Sequence, residues 1–379
     1  MRREILHLQK VAGIAGSETY LLSLLPGLRG RGWDVRMLML HAGEPGAFEF
    51  AEELGRRDVP VDAIRLRADV DPLAFARLVS YLARRRPALL HTHLVHADVY
   101  GQLAGTVARV PIRFSTKHGF NEFRESPGFA LADRLVARLA DVHIAVSRGL
   151  ARYLAETEGF AEDGFQIVHY GIRLGAEPPA YDGPPRLLCV GRLIPIKGHL
   201  VLLRAFALAV QEVPDLELRI AGRGPLDPAL RSIVDEFGLG SKVQLLGQVS
   251  PIQRAIEDVG VVVMPSLGEG FGMVALEAME RARPVIASAV GGLVDIVRDG
   301  QTGILVPPGE VEPLARAIVE LAIDPARAAD LGAAGREHAL EWFKDERSLE
   351  RTELLYRSLL DAKRWPFASG SEASSGTTS

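Results

Sequence analysis

Two α/β domains, each built on a mainly parallel sheet, are what this sequence predicts, on three observations. The chain has 379 residues, more than one ordinary domain holds. Short apolar runs alternate with amphipathic stretches of helical length almost from end to end, which is the pattern of repeated βαβ units. One stretch, YGIRLGAEPPAYDGPP at Tyr170–Pro185, is rich in Gly and Pro, has no apolar period, and splits the alternation in two.

The elements follow in order. Ile5–Leu8 reads as a strand, and Glu18–Arg29 as a helix because Leu21, Leu22, Leu24, Leu25 and Leu28 share one face. Val35–Leu40 is the next strand. Pro72–Arg86 is a helix, with Leu73, Ala76, Val79 and Leu82 three apart, and Ala88–His93 a buried strand. Ile112–Thr116 and Val142–Val146 are strands, and Ser147 stands where it can cap a helix over Arg148–Thr157. After the linker come strand Arg186–Val190, helix His199–Glu212, strand Leu216–Ala221, helix Asp227–Phe237, strand Val243–Leu246 and helix Pro251–Glu257. Strand Gly260–Met264, helix Gly272–Arg281, strand Pro284–Ala287, a short helix near Leu293–Arg298 and strand Gly303–Val306 complete the second sheet, and helices from Val311 onward close it. The expected domains are 1–172 and 173–346, with Ser369–Ser379 a Ser/Gly/Thr tail that has nothing to pack. Two Rossmann-like halves imply a cleft with strand C-termini facing it, the usual ligand position in open α/β sheets.

Composition narrows the class. Apolar residues make up 47% and charged residues 24%, near the globular average. Apolar runs such as Val259–Pro265 fall far short of the roughly 20 residues of a membrane span, and MRREILHLQK has no sustained apolar stretch of the signal-peptide kind. The single cysteine, Cys189, excludes an internal disulfide framework and a multi-thiolate zinc site. These features describe a soluble protein of a reducing, cytoplasmic compartment. A net charge of −4 is too mild to argue for nucleic acid. It is unevenly spread: residues 1–175 carry 23 Lys+Arg against 20 Asp+Glu, and the remainder 21 against 28. A basic first half either meets an anionic surface or substrate or reflects ordinary surface variation.

The most informative stretch is PSLGEGFGMVALEAMERARP, Pro265–Pro284. A buried strand ends, a Gly-rich turn carries Glu269, and a helix starts near Gly272. The first-turn amides of a helix have no internal partners and sit at its positive end. Gly270, Phe271 and Gly272 can therefore bind phosphate or a sugar hydroxyl through the backbone. Glu277 lies eight positions after Glu269, so the two carboxylates can reach different parts of one ligand. In VGRLIPIKGH, Val190–His199, Arg192 and Lys197 can hold two phosphates, the first as a fork and the second as a point charge. The loops AGRGP and LGQVS, with Gly222 and Val249, either enclose a nucleotide or are ordinary turns. In Val11–Glu18, Gly13 and Gly16 form a GxxG that falls short of a dinucleotide fingerprint.

The histidines lie mostly in the first half. Alternation puts His91 and His93 on one strand face and His96 beyond the strand end, and no known zinc spacing accompanies them, so no metal is expected. His118, in STKHGF, follows a strand in a Gly-flanked turn. There it either hydrogen-bonds a sugar hydroxyl or handles a proton, or it is a satisfied structural histidine.

Taken in order, these pieces resemble a retaining glycosyltransferase of the GT-B fold, similar to glycosyltransferase family 4, over nearly the whole chain from AGSE at Ala15–Glu18 to RTELLYRSLL at Arg351–Leu360. The most specific part is Glu269, Phe271, Gly272 and Glu277, followed by RPVIAS, VGG and DGQTGILVPPGE. The resemblance implies a nucleotide-sugar donor, with Glu277 on the ribose, Glu269 on the transferred sugar, and Arg192 and Lys197 on the diphosphate. It implies a backbone amide of Gly16 near the phosphates and His118 against the sugar. It further implies retention of anomeric configuration without a metal, a saccharide or lipid-linked acceptor, and a last helix, about 347–364, that packs back on the first domain. Ala15 precedes Gly16 where the family usually has a second glycine, Ala282 stands where glycine is common, and Asp295 where glutamate is common. The classes set against it are a nucleotide-sugar epimerase or hydrolase of the same fold and a non-catalytic saccharide-binding protein. Arg77 and Arg84–Arg86 either touch an anionic membrane face or form a solvated helix end.

Overall fold

The computed structural model describes residues 4–120, 135–158, 160–173, 175, 176 and 178–362. The expected tail at 369–379 lies outside them.

The first sheet takes strands β1 (Glu4–Lys10), β2 (Asp34–His41), β3 (Val61–Arg65), β4 (Leu89–His93), β5 (Arg113–Lys117), β6 (Val142–Ala145) and β7 (Phe165–Ile167) in the order β3-β2-β1-β4-β5-β6-β7. The pairs from β3 to β5 are parallel. The second sheet takes β8 (Arg186–Val190), β9 (Glu217–Ala221), β10 (Val243–Gly247), β11 (Val261–Met264), β12 (Val285–Ser288) and β13 (Gly303–Val306) in the order β10-β9-β8-β11-β12-β13, parallel throughout. Each order reverses once, between β1 and β4 and between β8 and β11. At those two places adjacent connections leave toward opposite faces and open a crevice at the strand C-termini.

The described residues gather into two compact units, one of 4–116, 135–144 and 346–362, the other of 117–120 and 145–345. The division therefore precedes the Gly/Pro stretch at 173. The reason is local: Ser147 caps the helix Arg148–Glu158 by accepting from the Leu150 amide at 3.0 Å, and its hydroxyl donates to the Gly270 carbonyl at 2.6 Å. The same helix start receives a second tie from Asp295, whose carboxylate accepts from the Arg148 amide at 2.7 Å and lies 3.1 Å from His169 Nε2. Four helices and strands that the apolar pattern does not predict are present: helix Pro45–Arg56, strands β3 and β7, and helix Leu94–Val107.

The second unit's core packs Leu187, Cys189, Leu218, Ile220 and Val263 against Leu202, Phe206 and Val210 of helix His199–Glu212. In the first unit, Leu6, Leu8, Leu38, Leu40 and Leu90 meet Leu78 and Leu82 of helix Pro72–Arg85 on one face of the sheet. Strand alternation turns His7, His91 and His93 to the other face, where all three are buried. The last helix, Asp345–Ala362, places the buried Tyr356 there, its hydroxyl 2.5 Å from His91 Nδ1 and 3.3 Å from His7 Nε2. His7 Nδ1 and His93 Nε2 are 2.9 Å apart, and His91 Nε2 is 2.6 Å from Thr116 Oγ1. A nitrogen from each ring lies within 4.8 Å of the other two, close enough to suggest a metal, yet these nitrogens already serve one another and the hydroxyls. Burial pushes the His7 pKa down to about 3, so that ring is neutral. Tyr356→Phe leaves buried imidazole nitrogens without their partner. It is expected to cost about 1–3 kcal/mol, read as a lower denaturant midpoint at unchanged slope.

Candidate functional site

The crevice of the second sheet is lined by the loops that follow β8 and β11. Gly198, at φ +70, holds the first against the second: a Cβ there would stand 1.9 Å from the Pro265 carbonyl oxygen. The Leu267 amide donates to the Ile196 carbonyl at 2.8 Å. This zipper brings Lys197 and Glu269, 72 residues apart, into contact, with Nζ donating to Oε2 at 2.6 Å. Ser266 Oγ donates to the same oxygen at 3.2 Å. Both side chains remain partly open, at 20% and 12% exposure. An ammonium has three donors and a carboxylate two oxygens, so each keeps capacity for a ligand. Arg192 is exposed, and among the described residues its guanidinium has no hydrogen-bond or ion-pair partner.

Glycines hold Glu269 in place. Gly291, at φ +50, passes so close that a Cβ would lie 1.7 Å from the Glu269 carbonyl oxygen, and the Gly292 amide donates to that oxygen at 3.0 Å. Gly270 fits against the backbone of His118 and Gly119. Gly272, at φ +110, starts the helix Met273–Glu280. The Phe271 side chain is turned away from the loop. It is buried against Tyr170, His169 and Phe343, with ring centroids 5.0, 5.8 and 6.1 Å away. Phe271 thus offers a ligand its amide only, while its ring anchors the turn.

Glu277 is half-buried on that helix, and burial first, then the neighbouring Glu280, raise its pKa to about 7. Glu280 itself is buried and engaged by Arg281 at 2.8 Å and by the Gly175 amide at 2.8 Å. A raised pKa means that Glu277 changes charge near neutrality, and only the ionised form accepts from two hydroxyls at full strength. Binding of a ligand that donates hydroxyls to Glu277 is therefore expected to tighten as pH rises through about 7 and to weaken below it. The Glu277→Gln variant should flatten that dependence, measured by titration calorimetry between pH 6 and 8.

His118 is buried, and its Nδ1 hydrogen-bonds the Tyr170 hydroxyl. Burial pushes its pKa down to about 3, so it is neutral at pH 7. A neutral, buried imidazole suits a fixed hydrogen-bonding group. Gly222, at φ +153, owes its identity to the Gly191 carbonyl oxygen, 1.8 Å from where a Cβ would be, and its amide donates to the Gly247 carbonyl at 2.7 Å. Val249 is half-buried in the loop after β10. Gly16 lies in the other unit, at the start of helix Gly16–Gly30, where a Cβ would meet nothing within 4 Å. Sequence reasoning misses Ser266, whose only signal is its position three residues before Glu269 at a strand end.

Comparison with known proteins bears on this geometry. Residues 184–324 match the family model described as glycosyl transferases group 1, and residues 14–175 match that of glycosyltransferase family 4. The D-inositol 3-phosphate glycosyltransferase of Streptomyces scabiei (strain 87.22) is 31% identical over 314 residues, covering 73% of this chain and 69% of that protein. The chain belongs to this glycosyltransferase family. The alpha-maltose-1-phosphate synthase of Mycolicibacterium smegmatis is 30% identical to this glycosyltransferase over 316 residues, covering 72% of this chain and 79% of its own length. The crystal structure of Anabaena Alr3699/HepE in complex with UDP and glucose superimposes with a TM-score of 0.82 at 21% identity, covering 94% of this chain and all of that one. The fold is GT-B, and the glycosyltransferase is an enzyme.

Proposed function

We propose that this glycosyltransferase transfers a hexose-type sugar from a UDP- or GDP-linked donor to a hydroxyl of a saccharide, lipid-linked or small-molecule acceptor, with retention of configuration and without a metal. The observation that carries this reading is the Lys197–Glu269 contact at the sheet's crevice. It sets a cation for the diphosphate beside a carboxylate for the sugar hydroxyls. Arg192 supplies a second, bidentate cation, and the amides of Gly270, Phe271 and Gly272 lie at the positive end of the helix. Glu277 takes the ribose hydroxyls, and neutral His118 hydrogen-bonds the sugar. Gly16 offers an amide at the start of its own helix, and the loops of Gly222 and Val249 stand at the strand ends where a base is held.

In the reaction, the bond from the anomeric carbon to the diphosphate oxygen breaks and its electron pair leaves with the diphosphate. Arg192 and Lys197 stabilise the charge that develops there, as preorganised cations do. The acceptor hydroxyl attacks the same face, and its proton passes to the departing phosphate oxygen, which preserves configuration. No residue need form a covalent sugar adduct, and the two cations fill the role a divalent ion serves on diphosphates.

The relatives are named for reactions on inositol 3-phosphate and for making maltose 1-phosphate, which supports a polyol or sugar hydroxyl as acceptor. Among the described residues no helix is long and apolar enough to cross a membrane, and the reading places the enzyme in the cytoplasm, free or at the membrane's inner face. Donor turnover with and without acceptor tests the function. Transfer gives nucleotide release that depends on acceptor. A hydrolase or epimerase turns over donor alone, and a saccharide-binding protein turns over neither. Product anomeric configuration by NMR tests retention.

A further inference from the structure

Three carbonyls of the Glu269 loop are engaged. Glu269 accepts from the Gly292 amide at 3.0 Å, Gly270 from Ser147 Oγ at 2.6 Å, and Gly272 from the Ala275 amide at 2.9 Å. Gly270, Phe271 and Gly272 are buried, yet among the described residues none of their amides has a hydrogen-bond partner. Buried amides are seldom left unpaired, so these three call for an acceptor that a ligand brings. A peptide unit is planar and trans, and the N–H of one residue points away from the C=O of the residue before it. Holding the Glu269 carbonyl therefore aims the Gly270 N–H, and holding the Gly270 carbonyl aims the Phe271 N–H.

A backbone amide holds the first of these carbonyls, but a side chain holds the second. Ser147 is fully buried, and its hydroxyl has one hydrogen and two lone pairs. A lone pair accepts from the Leu150 amide at 3.0 Å, and the hydrogen goes to Gly270. Two further ties fix the start of helix Arg148–Glu158 beside the loop. A Cβ at Gly149 would stand 2.3 Å from the Gly291 carbonyl oxygen, and Asp295 accepts from the Arg148 amide at 2.7 Å. Capping a helix needs only the lone pair, and glycine serves there nearly as well as serine. The hydrogen of Ser147 is thus not required by its own helix.

We propose that Ser147 is a positioning residue of this enzyme: through the Gly270 carbonyl it holds the Phe271 N–H toward the terminal phosphate of the nucleotide diphosphate. This rests on the reading in which the loop's amides meet the diphosphate, and it adds a residue that touches no substrate itself. Without that hydrogen the peptide between Gly270 and Phe271 is free to turn. Its carbonyl oxygen then faces the phosphate for part of the time, and the two repel each other.

The test is titration calorimetry of UDP and UMP, and of GDP and GMP, on full-length wild type, Ser147→Gly and Ser147→Ala. The quantity read is the preference for the diphosphate over the monophosphate of the same nucleoside. Ser147→Gly removes the hydrogen and leaves the helix capped, whereas Ser147→Ala removes both. Each variant should lose about tenfold of the wild-type preference, as expected for one hydrogen bond to a charged group, with monophosphate affinity unchanged. A preference that either variant keeps overturns the proposal, and if Ser147→Gly alone keeps it, Ser147 acts only as a cap. An equal loss of monophosphate and diphosphate binding also overturns it, because damage to packing does not distinguish the two ligands. A wild type with no preference for the diphosphate is a failure of the donor reading, visible before any variant is compared, and it takes the proposal with it.

Discussion

Lys197→Ala is expected to lower transfer by about 10²–10³ in kcat, the usual loss when one preorganised charge on a developing anion is removed. Two consequences separate this from a structural defect. The variant leaves Glu269 without its cation at 2.6 Å, though Ser266 still donates to it. It should therefore be less stable as well as less active. In the double variant Lys197→Ala with Glu269→Gln, the unpaired carboxylate is gone, so stability should recover while activity does not. Lys197→Arg keeps the charge and should retain more turnover than alanine. Steady-state kinetics and thermal unfolding on the same four proteins decide the matter, and a double variant that regains activity with stability would sink the catalytic role.

Gly291→Ala is expected to be the most damaging single methyl in the second unit. At φ +50 an alanine costs about 1–2 kcal/mol in the left-handed region, and forcing a methyl into the 1.7 Å gap beside the Glu269 carbonyl adds about 1–3 kcal/mol of overpacking. The nearest relief is to move the Glu269 loop, so activity should fall too. Gly300→Ala is the control: its φ is +69, but a Cβ there meets nothing within 4 Å. It should carry the backbone cost alone and keep full turnover. Equal behaviour of the two variants by denaturant unfolding and kinetics would show that the close approach does not position Glu269.

Much of the fold is legible in the sequence, and the reasons are specific. Strand Arg186–Val190 and helix His199–Glu212 stand where the apolar pattern places them, because Leu187, Cys189, Leu202 and Phe206 are core residues whose spacing records their faces. Ser147 caps its helix as its position suggests. Helix Pro45–Arg56 escapes notice because only Ala47, Phe50 and Leu54 of it are buried, too sparse a face among three glutamates. Helix Leu94–Val107 escapes because its glycines blur the period, yet Gly101 and Gly105 are required where the helix presses on Thr92 and Leu90.

The site is legible by residue type but not by contact. Strand ends announce where Lys197 and Glu269 stand. Their meeting depends on β8 lying beside β11, which follows from sheet order alone. His7 likewise joins His91 and His93 only because β1 pairs with β4 in that register. The two departures at Ala282 and Asp295 acquire physical meaning here. Ala282 sits at φ +51, where glycine is the unstrained choice, and Asp295 is engaged at the start of helix Arg148–Glu158.

The central claim is that the second sheet's crevice holds a nucleotide through Glu277. Thermal unfolding of wild type and Glu277→Ala with UDP, GDP and their sugar conjugates tests it most directly. A ligand at a hundred times its dissociation constant stabilises by about 2.7 kcal/mol, well within measurement. The account predicts that one nucleotide family raises the wild-type midpoint and that the variant, folded and with its own midpoint unchanged or higher, loses most of that rise. A wild type indifferent to every nucleotide, or a variant that responds as fully as wild type, would contradict it.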